Sequence, residues 1–370
     1  MNINEREIKM AFIIPEANTH PDVAKDQHLV PRTYMREWSP KSNDSIWVFN
    51  KEEMEEGIQP QNVNKINYKT GFHDIKAGDI FVPEEALQEL FGFLKNYRIE
   101  LDGKELKELS ELNDHYFEYD KWEIYDEENT LATRKIKNEI KRIINQSRYT
   151  FIETEWCYQF EDNWTNYIHR FEEKVRCKAL AKPYVPDENE RTELMQYILI
   201  YDFRNIKGNA WINSSIDEVF PPEMAEVEIP YKERIHKFNN MIGDEFKHES
   251  RKKAFYEFLK NRQGKMDLML QNYLKSFGIR ICLTSIDFPF MTCETPSMMI
   301  KRIDGLYEHI FVATPTMLIT TYKTDQFLFS RSYFKPKDVR RYNQYIVKNG
   351  NLIITLKNDA KTEQFCINNR

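Results

Sequence analysis

The chain has 370 residues, 30% of them charged, with a formal net charge of -6 and a mean hydropathy of -0.69. That length buries a sizeable core in one large domain or two closely joined ones, and no apolar run approaches a bilayer span, which implies a soluble protein. Five cysteines with no Cys-x-x-Cys spacing argue against a disulfide or zinc framework, and 11 glycines with no phosphate-loop pattern argue against P-loop ATPases and Rossmann dehydrogenases.

His-Glu-x-x-His and Gly-x-Ser-x-Gly are also missing, which argues against zincin proteolysis and a hydrolase elbow. The first residues are too charged for a secretory signal, and the thiols read as reduced, so a cytoplasmic location is expected. Charge is uneven: residues 84–130 carry 15 acids and 5 bases, and residues 231–280 carry 12 bases and 6 acids. The basic stretch could meet nucleic acid, although such runs are more often solvated helix faces.

In chain order, residues 1–24 have no strong period and read as an arm. Pro31, with its fixed φ and missing N–H, predicts a helix start that carries Tyr34, Met35 and Trp38 on one side. Residues 45–50 are β-prone; 54–61 read as a polar loop, and 62–72 as a second short strand or an extended segment. The pattern turns helical at Pro83-Glu84-Glu85. Helices are predicted over 127–146, along the apolar stripe Trp156, Phe160, Trp164, Tyr167, Phe171 and Val175, and after the cap-like Asp187 and Glu190. Eight of the ten residues 194–203 are apolar or aromatic, so that helix should be buried. Further helices are expected over 222–241 and 244–277, with Gly278 as the residue that ends the last. Residues 279–357 become β-rich, with strands expected at 279–284, 288–300, 309–314, 317–322 and 352–356 and a helix at 337–348. The prediction is an α+β fold: N- and C-terminal β segments packed with a mainly helical middle at 83–277, in a single domain over 25–357 with a tail at 358–370.

Five places could carry chemistry. His28, just before a helix start, could move a proton or meet an anion, though a lone histidine is more often a cap or packing residue. Arg204 follows a buried helix and needs an anionic or carbonyl partner: a substrate phosphate or carboxylate, or a structural partner such as Asp202 or Glu294. Thr292 and Glu294 lie in a strand-end turn before Pro296, where Glu294 could orient His28, clamp Arg204 or serve turn chemistry. Thr314 and Thr316 flank Pro315 in a second turn of this kind. Asn343 could pin a loop.

These five spots, in this order, resemble the mostly bacterial domain-of-unknown-function family numbered forty-two thirty-eight. Its opening pattern is matched by Gln27-His28-Leu29-Val30-Pro31-Arg32-Thr33-Tyr34-Met35-Arg36-Glu37-Trp38, followed by Ile46-Trp47-Val48-Phe49, Phe203-Arg204-Asn205, Thr292-Cys293-Glu294-Thr295-Pro296, Ala313-Thr314-Pro315-Thr316 and Asn343. Glu294 stands where the family usually has aspartate, and the Pro315 turn lacks a second proline. The resemblance implies that His28, Arg204 and Glu294 form one constellation, with Gln27, Thr292, Thr316 and Asn343 as substrate-binding candidates. A histidine base, a charge-stabilising arginine and an orienting carboxylate suit metal-independent phosphodiester cleavage. The expectation is a nuclease-like hydrolase acting on nucleic acid or a nucleotide, with a place in phage defence or bacterial conflict and a protein partner there. It needs no cofactor or membrane. His28 and Glu294 could offer two metal ligands, but no further ligand stands at diagnostic spacing. The rival expectation is a non-enzymatic sensor or binding module whose polar residues fix the fold.

Overall fold

The computed structural model describes residues 12–40, 44–177, 185–204, 221–302, 305–324 and 329–370. The chain is α+β and divides into two compact units built from interleaved segments. Met1–Lys25, Gly71–Thr154 and Phe220–Tyr256 supply the first; Asp26–Thr70, Glu155–Val219 and Glu257–Arg370 supply the second. Among the described residues no helix is long and apolar enough to cross a membrane.

In the first unit the Glu84–Phe91 helix starts after Pro83, with two glutamates in its first turn facing the positive end of the dipole. Leu87, Leu90 and Phe91 fall on one face and pack with Ile99, Trp122, Ile124, Ile140 and Ile144 in the core. A three-stranded antiparallel sheet interrupts the predicted helical middle: Arg98–Leu101 lies between Lys104–Glu105 and Glu123–Tyr125. The helix predicted from residue 127 begins instead at Arg134. Asp126 explains the delay, because its Oδ1 accepts the N–H groups of Glu128 and Thr130 and closes a turn first. The helix predicted over 222–241 shrinks to Pro222–Ala225. Beyond it the chain folds back on itself, with Ile229 N–H bonded to Asn240 O and Ile242 N–H to Val227 O, and Pro230 can donate no helical bond.

In the second unit, terminal β segments meet in one sheet. Leu352–Thr355 pairs antiparallel with both Ser45–Asn50 and Thr292–Cys293. Ile58–Asn62, in the stretch predicted to be a loop, adds an outer strand whose Pro60 is tolerated at a sheet edge. A second sheet orders Ser297–Lys301, Tyr307–Thr314, Met317–Lys323, Phe277–Leu283 and Phe329–Tyr333; only the last pairing is parallel. The Trp156-to-Val175 stripe is buried as predicted, but a π turn at Cys157–Glu161 separates Phe151–Trp156 from Trp164–Cys177. The Glu188–Phe203 helix starts where Asp187 Oδ1 accepts the Glu190 N–H at 2.7 Å, and its second half is buried all round. The helix predicted over 244–277 is two helices, Ile242–Asn261, which belongs to the first unit as far as Tyr256, and Gly264–Ser276. Arg262 and Gly264, at φ 51° and 82°, turn the chain between them. Gly278 stands just past the end of the second helix, after the cap residue Phe277, but is already extended in the Phe277–Leu283 strand, and residues 360–368 of the predicted tail form the Ala360–Asn368 helix.

Candidate functional site

The opening motif is a short strand followed by a helix. Asp26–His28 pairs antiparallel with Tyr68–Thr70, and the helix Arg32–Met35 follows Pro31, which stands just outside it. Gln27 is fully buried. His28 is half-buried, and its Nε2 donates to the Val63 carbonyl at 3.0 Å. Tyr34 is fully buried. Its hydroxyl meets Thr292 Oγ1 at 2.7 Å and donates to Val312 O at 2.5 Å, and burial holds the phenol well above its usual range. Trp38 Nε1 donates to Phe290 O at 3.0 Å. The aromatic residues of the motif thus reach the late turn directly, across more than two hundred residues of sequence.

Arg204 is buried, as its position after an apolar helix predicted. Among the described residues it meets a carbonyl: Nε donates to His28 O at 2.9 Å, and the guanidinium lies 4.2 Å from the centre of the Trp156 ring. Arg204 and His28 are therefore brought together, through the histidine backbone rather than its imidazole. Asn205 of the motif lies outside the described residues.

Glu294 accepts the N–H groups of Asn351, at 2.8 and 3.0 Å, and of Leu352, at 2.9 Å. This is turn chemistry: the carboxylate holds the chain entering the Leu352–Thr355 strand. Asn343 pins a loop, accepting the Met291 N–H at 2.9 Å and donating to Pro289 O at 3.1 Å. Thr314 and Thr316 both hydrogen-bond the Glu172 carboxylate, which also pairs with Arg176 at 2.6 Å. Tyr34, Trp38, Thr292 and Asn343 thus converge on residues 289–292, whereas Thr316 joins Glu172 and Glu294 joins the strand at 352.

The outer side of that same segment lines a cleft of about 420 Å³. Phe288, Asn343 and the cations Arg340, Lys357 and Lys361 face it, together with Asp287 and Asp359. Phe288 is 48% exposed, and the Arg340 guanidinium lies 5.7 Å from the centre of the Phe365 ring. Asp359 is already committed, since its Oδ1 caps the last helix by accepting the Thr362 N–H at 2.8 Å.

A further buried polar chain crosses this unit at His309. Tyr273 Oη lies 2.9 Å from His309 Nδ1, His309 Nε2 lies 2.9 Å from Ser297 Oγ, and Ser297 donates to Ile198 O at 2.7 Å. That order assigns the Nε2–H neutral tautomer, and burial pushes the imidazole down to about 4.

The first unit holds a cluster that the sequence reading passed over. On the Ile242–Asn261 helix, Glu245, Glu249 and Lys252 recur at i, i+4 and i+7, with His248 beside them; all four are buried. Such a charge run reads as a solvated face, and its placement here overturns that reading for this stretch. His236 Nδ1 is 2.5 Å from Glu245 Oε1, and Asn239 donates to Glu245 Oε2 at 2.8 Å. Lys252 Nζ pairs with Asp79 and lies 2.6 Å from Glu249 Oε1. Burial pushes His236 down to about 3, takes His248 well below its usual range and lifts Glu245 and Glu249. Burial opposes the Lys252 charge, but the Asp79 and Glu249 carboxylates outweigh it and hold the ammonium above its ordinary range. The sequence signal was the coincidence of His236, Glu245, His248 and Glu249 within fourteen residues.

A family model described as "Protein of unknown function (DUF4238)" matches residues 26–359. Comparison with curated proteins found no match, and comparison with solved structures found none.

Proposed function

We propose that this chain, which belongs to the family described as Protein of unknown function (DUF4238), binds a phosphate-bearing ligand of nucleotide or RNA type in the cleft beside residues 287–291. The observation that carries this reading is the convergence of Arg340, Lys357 and Lys361 with an exposed aromatic face on one cleft. Its volume of about 420 Å³ is of ligand size. Three cations face two carboxylates, one of them occupied in capping a helix. Phe288 offers a stacking surface to a base, and the guanidinium of Arg340 offers bidentate donors to a phosphate. On this reading Tyr34, Trp38, Thr292 and Asn343 are the frame that fixes the cleft wall, and His28, Arg204 and Glu294 stiffen its surroundings.

Titration of the purified chain with ATP, GTP, cyclic nucleotides and short single-stranded RNA tests the proposal. Arg340→Ala and Lys361→Ala, both at exposed positions, are each expected to weaken binding about tenfold, in line with loss of one charge-assisted contact, without moving the melting temperature. No binding at millimolar ligand, or binding indifferent to both substitutions, defeats it.

Phosphodiester cleavage is a second reading, favoured by the 2.9 Å contact that joins Arg204 to His28. In it His28 transfers the proton and Arg204 balances developing charge, while Glu294 holds the neighbouring strand entry. Turnover of RNA, DNA or cyclic nucleotides that disappears in His28→Ala supports it. Turnover that is absent, or unchanged in that variant, ends it.

A further inference from the structure

The first unit buries more ionisable groups at one point than its fold needs. Asp79, His236, Glu245 and Glu249 each offer a ligand atom, and these atoms lie within 4.8 Å of one another; His236, His248 and Glu249 form a second such group. All five residues are buried. Ion pairing does not account for all of them. His248 Nε2 and Asp79 Oδ1 are buried with no hydrogen-bond partner among the described residues, and Asp79 Oδ1 sits 3.8 Å from His236 Nε2. An unsatisfied buried polar atom is costly, so two of them on residues of one His/carboxylate cluster, with Asp79 Oδ1 facing His236 Nε2, call for a ligand with electron-pair acceptor character.

We propose that His236, His248 and Glu249, with Asp79 and Glu245 alongside, form a site for one divalent transition-metal ion, which exchanges with the ammonium of Lys252 as the cation of the cluster. Two imidazoles with carboxylates are a donor set suited to zinc, and the full enclosure of the residues suits a structural ion. Ligands at about 2.1 Å from a tetrahedral metal stand roughly 3.4 Å apart, so atoms now within 4.8 Å of one another must close by at most about 1.4 Å, a movement that side-chain rotation supplies. Lys252 now supplies the positive charge, reaching Asp79, Glu249 and, at 3.4 Å, His236 Nε2. Its long, flexible stem lets the ammonium withdraw. Charge explains why the two cations exchange. Three carboxylates, Asp79, Glu245 and Glu249, face Lys252 and, at the edge, Lys76, whose charge acts on both His236 and Glu245. Adding a divalent ion overshoots neutrality while Lys252 stays, and reaches it when Lys252 is gone. The inference is independent of the ligand proposed for the second unit, because none of its residues lies there.

The test uses the full chain, stripped with chelator and titrated with zinc chloride, with stoichiometry read by calorimetry and stability by thermal melting. One zinc per chain and a raised melting temperature are expected. Lys252→Met should bind zinc at least tenfold more tightly, and His248→Ala should lose the zinc-dependent rise while His169→Ala, an exposed control, keeps it. Absence of a zinc-dependent rise in both the natural chain and Lys252→Met overturns the proposal, as does a rise that survives His248→Ala. Should Lys252→Met fail to fold without zinc, recovery of its melting transition on adding zinc counts in favour and no recovery counts against.

Discussion

Tyr34 and Arg204 show how single side chains tie this fold together. The Tyr34 hydroxyl serves Thr292 and Val312 at once, so Tyr34→Phe leaves a buried carbonyl and a buried hydroxyl short of a partner. The expected cost is about 1–3 kcal/mol. Arg204→Ala removes a donor to His28 O and a plate stacked on Trp156, leaving a cavity, with an expected loss of about 3 kcal/mol. Urea unfolding of both variants measures these effects. A stable Arg204→Ala that loses turnover would move the residue from the frame to a reacting site. His28, Arg204, Thr292 and Asn343, all singled out by sequence, each hydrogen-bond a group far away along the chain. Their employments were less legible, because a side chain's partner depends on what the fold brings opposite it. Arg204 needs a carbonyl or an anion, and only packing brings the His28 carbonyl to it.

At the scale of elements, local signals performed well where they were local. Asp187 capping its helix, Pro83 before another and the apolar stripe from Trp156 to Val175 are all encoded within a few turns. Errors fell where a nearby polar side chain or a partner strand intervened. Asp126 closed a turn before the helix at Arg134 could begin, and the pairing of Arg98–Leu101 with Glu123–Tyr125 gave β structure to a stretch rich in helix formers. Sheet position also sets local stability. Tyr307–Thr314, Met317–Lys323 and Phe277–Leu283 have partners on both sides, whereas Ser297–Lys301 and Phe329–Tyr333 are outer strands. Native-state hydrogen exchange should therefore find amides of the three inner strands the slowest and those of the two outer strands faster. Equal protection across all five would contradict this order.

For the whole molecule, pH is the variable that the buried histidines make informative. His309 is held neutral in the fold, at about 4, while an unfolded histidine titrates near 6.5. As pH falls the unfolded chain takes up the proton first. The stability that His309 contributes is therefore intact above about 6.5, declines through the window down to about 4 and changes no further below it. The full difference is about 3 kcal/mol. Urea unfolding at pH 7 and pH 5 should show a smaller loss for His309→Gln than for the natural chain; an equal loss in both would exclude His309 as a source.

The interleaving of the units, each drawn from three separated segments, has the same lesson at larger size. Consecutive residues determined the α+β class, most helix starts, the buried helix before Arg204 and the ordered set of motifs that marks the family, because caps, turns and hydrophobic period act over a few residues. The cleft beside residues 287–291 and the His236–His248–Glu249 cluster were decided only by tertiary structure. Asp79 and Lys252 are far apart along the chain, and nothing in the neighbourhood of either shows that the other will neutralise it. A charged helix face looks the same in sequence whether water or a buried carboxylate will meet it, and folding makes that choice.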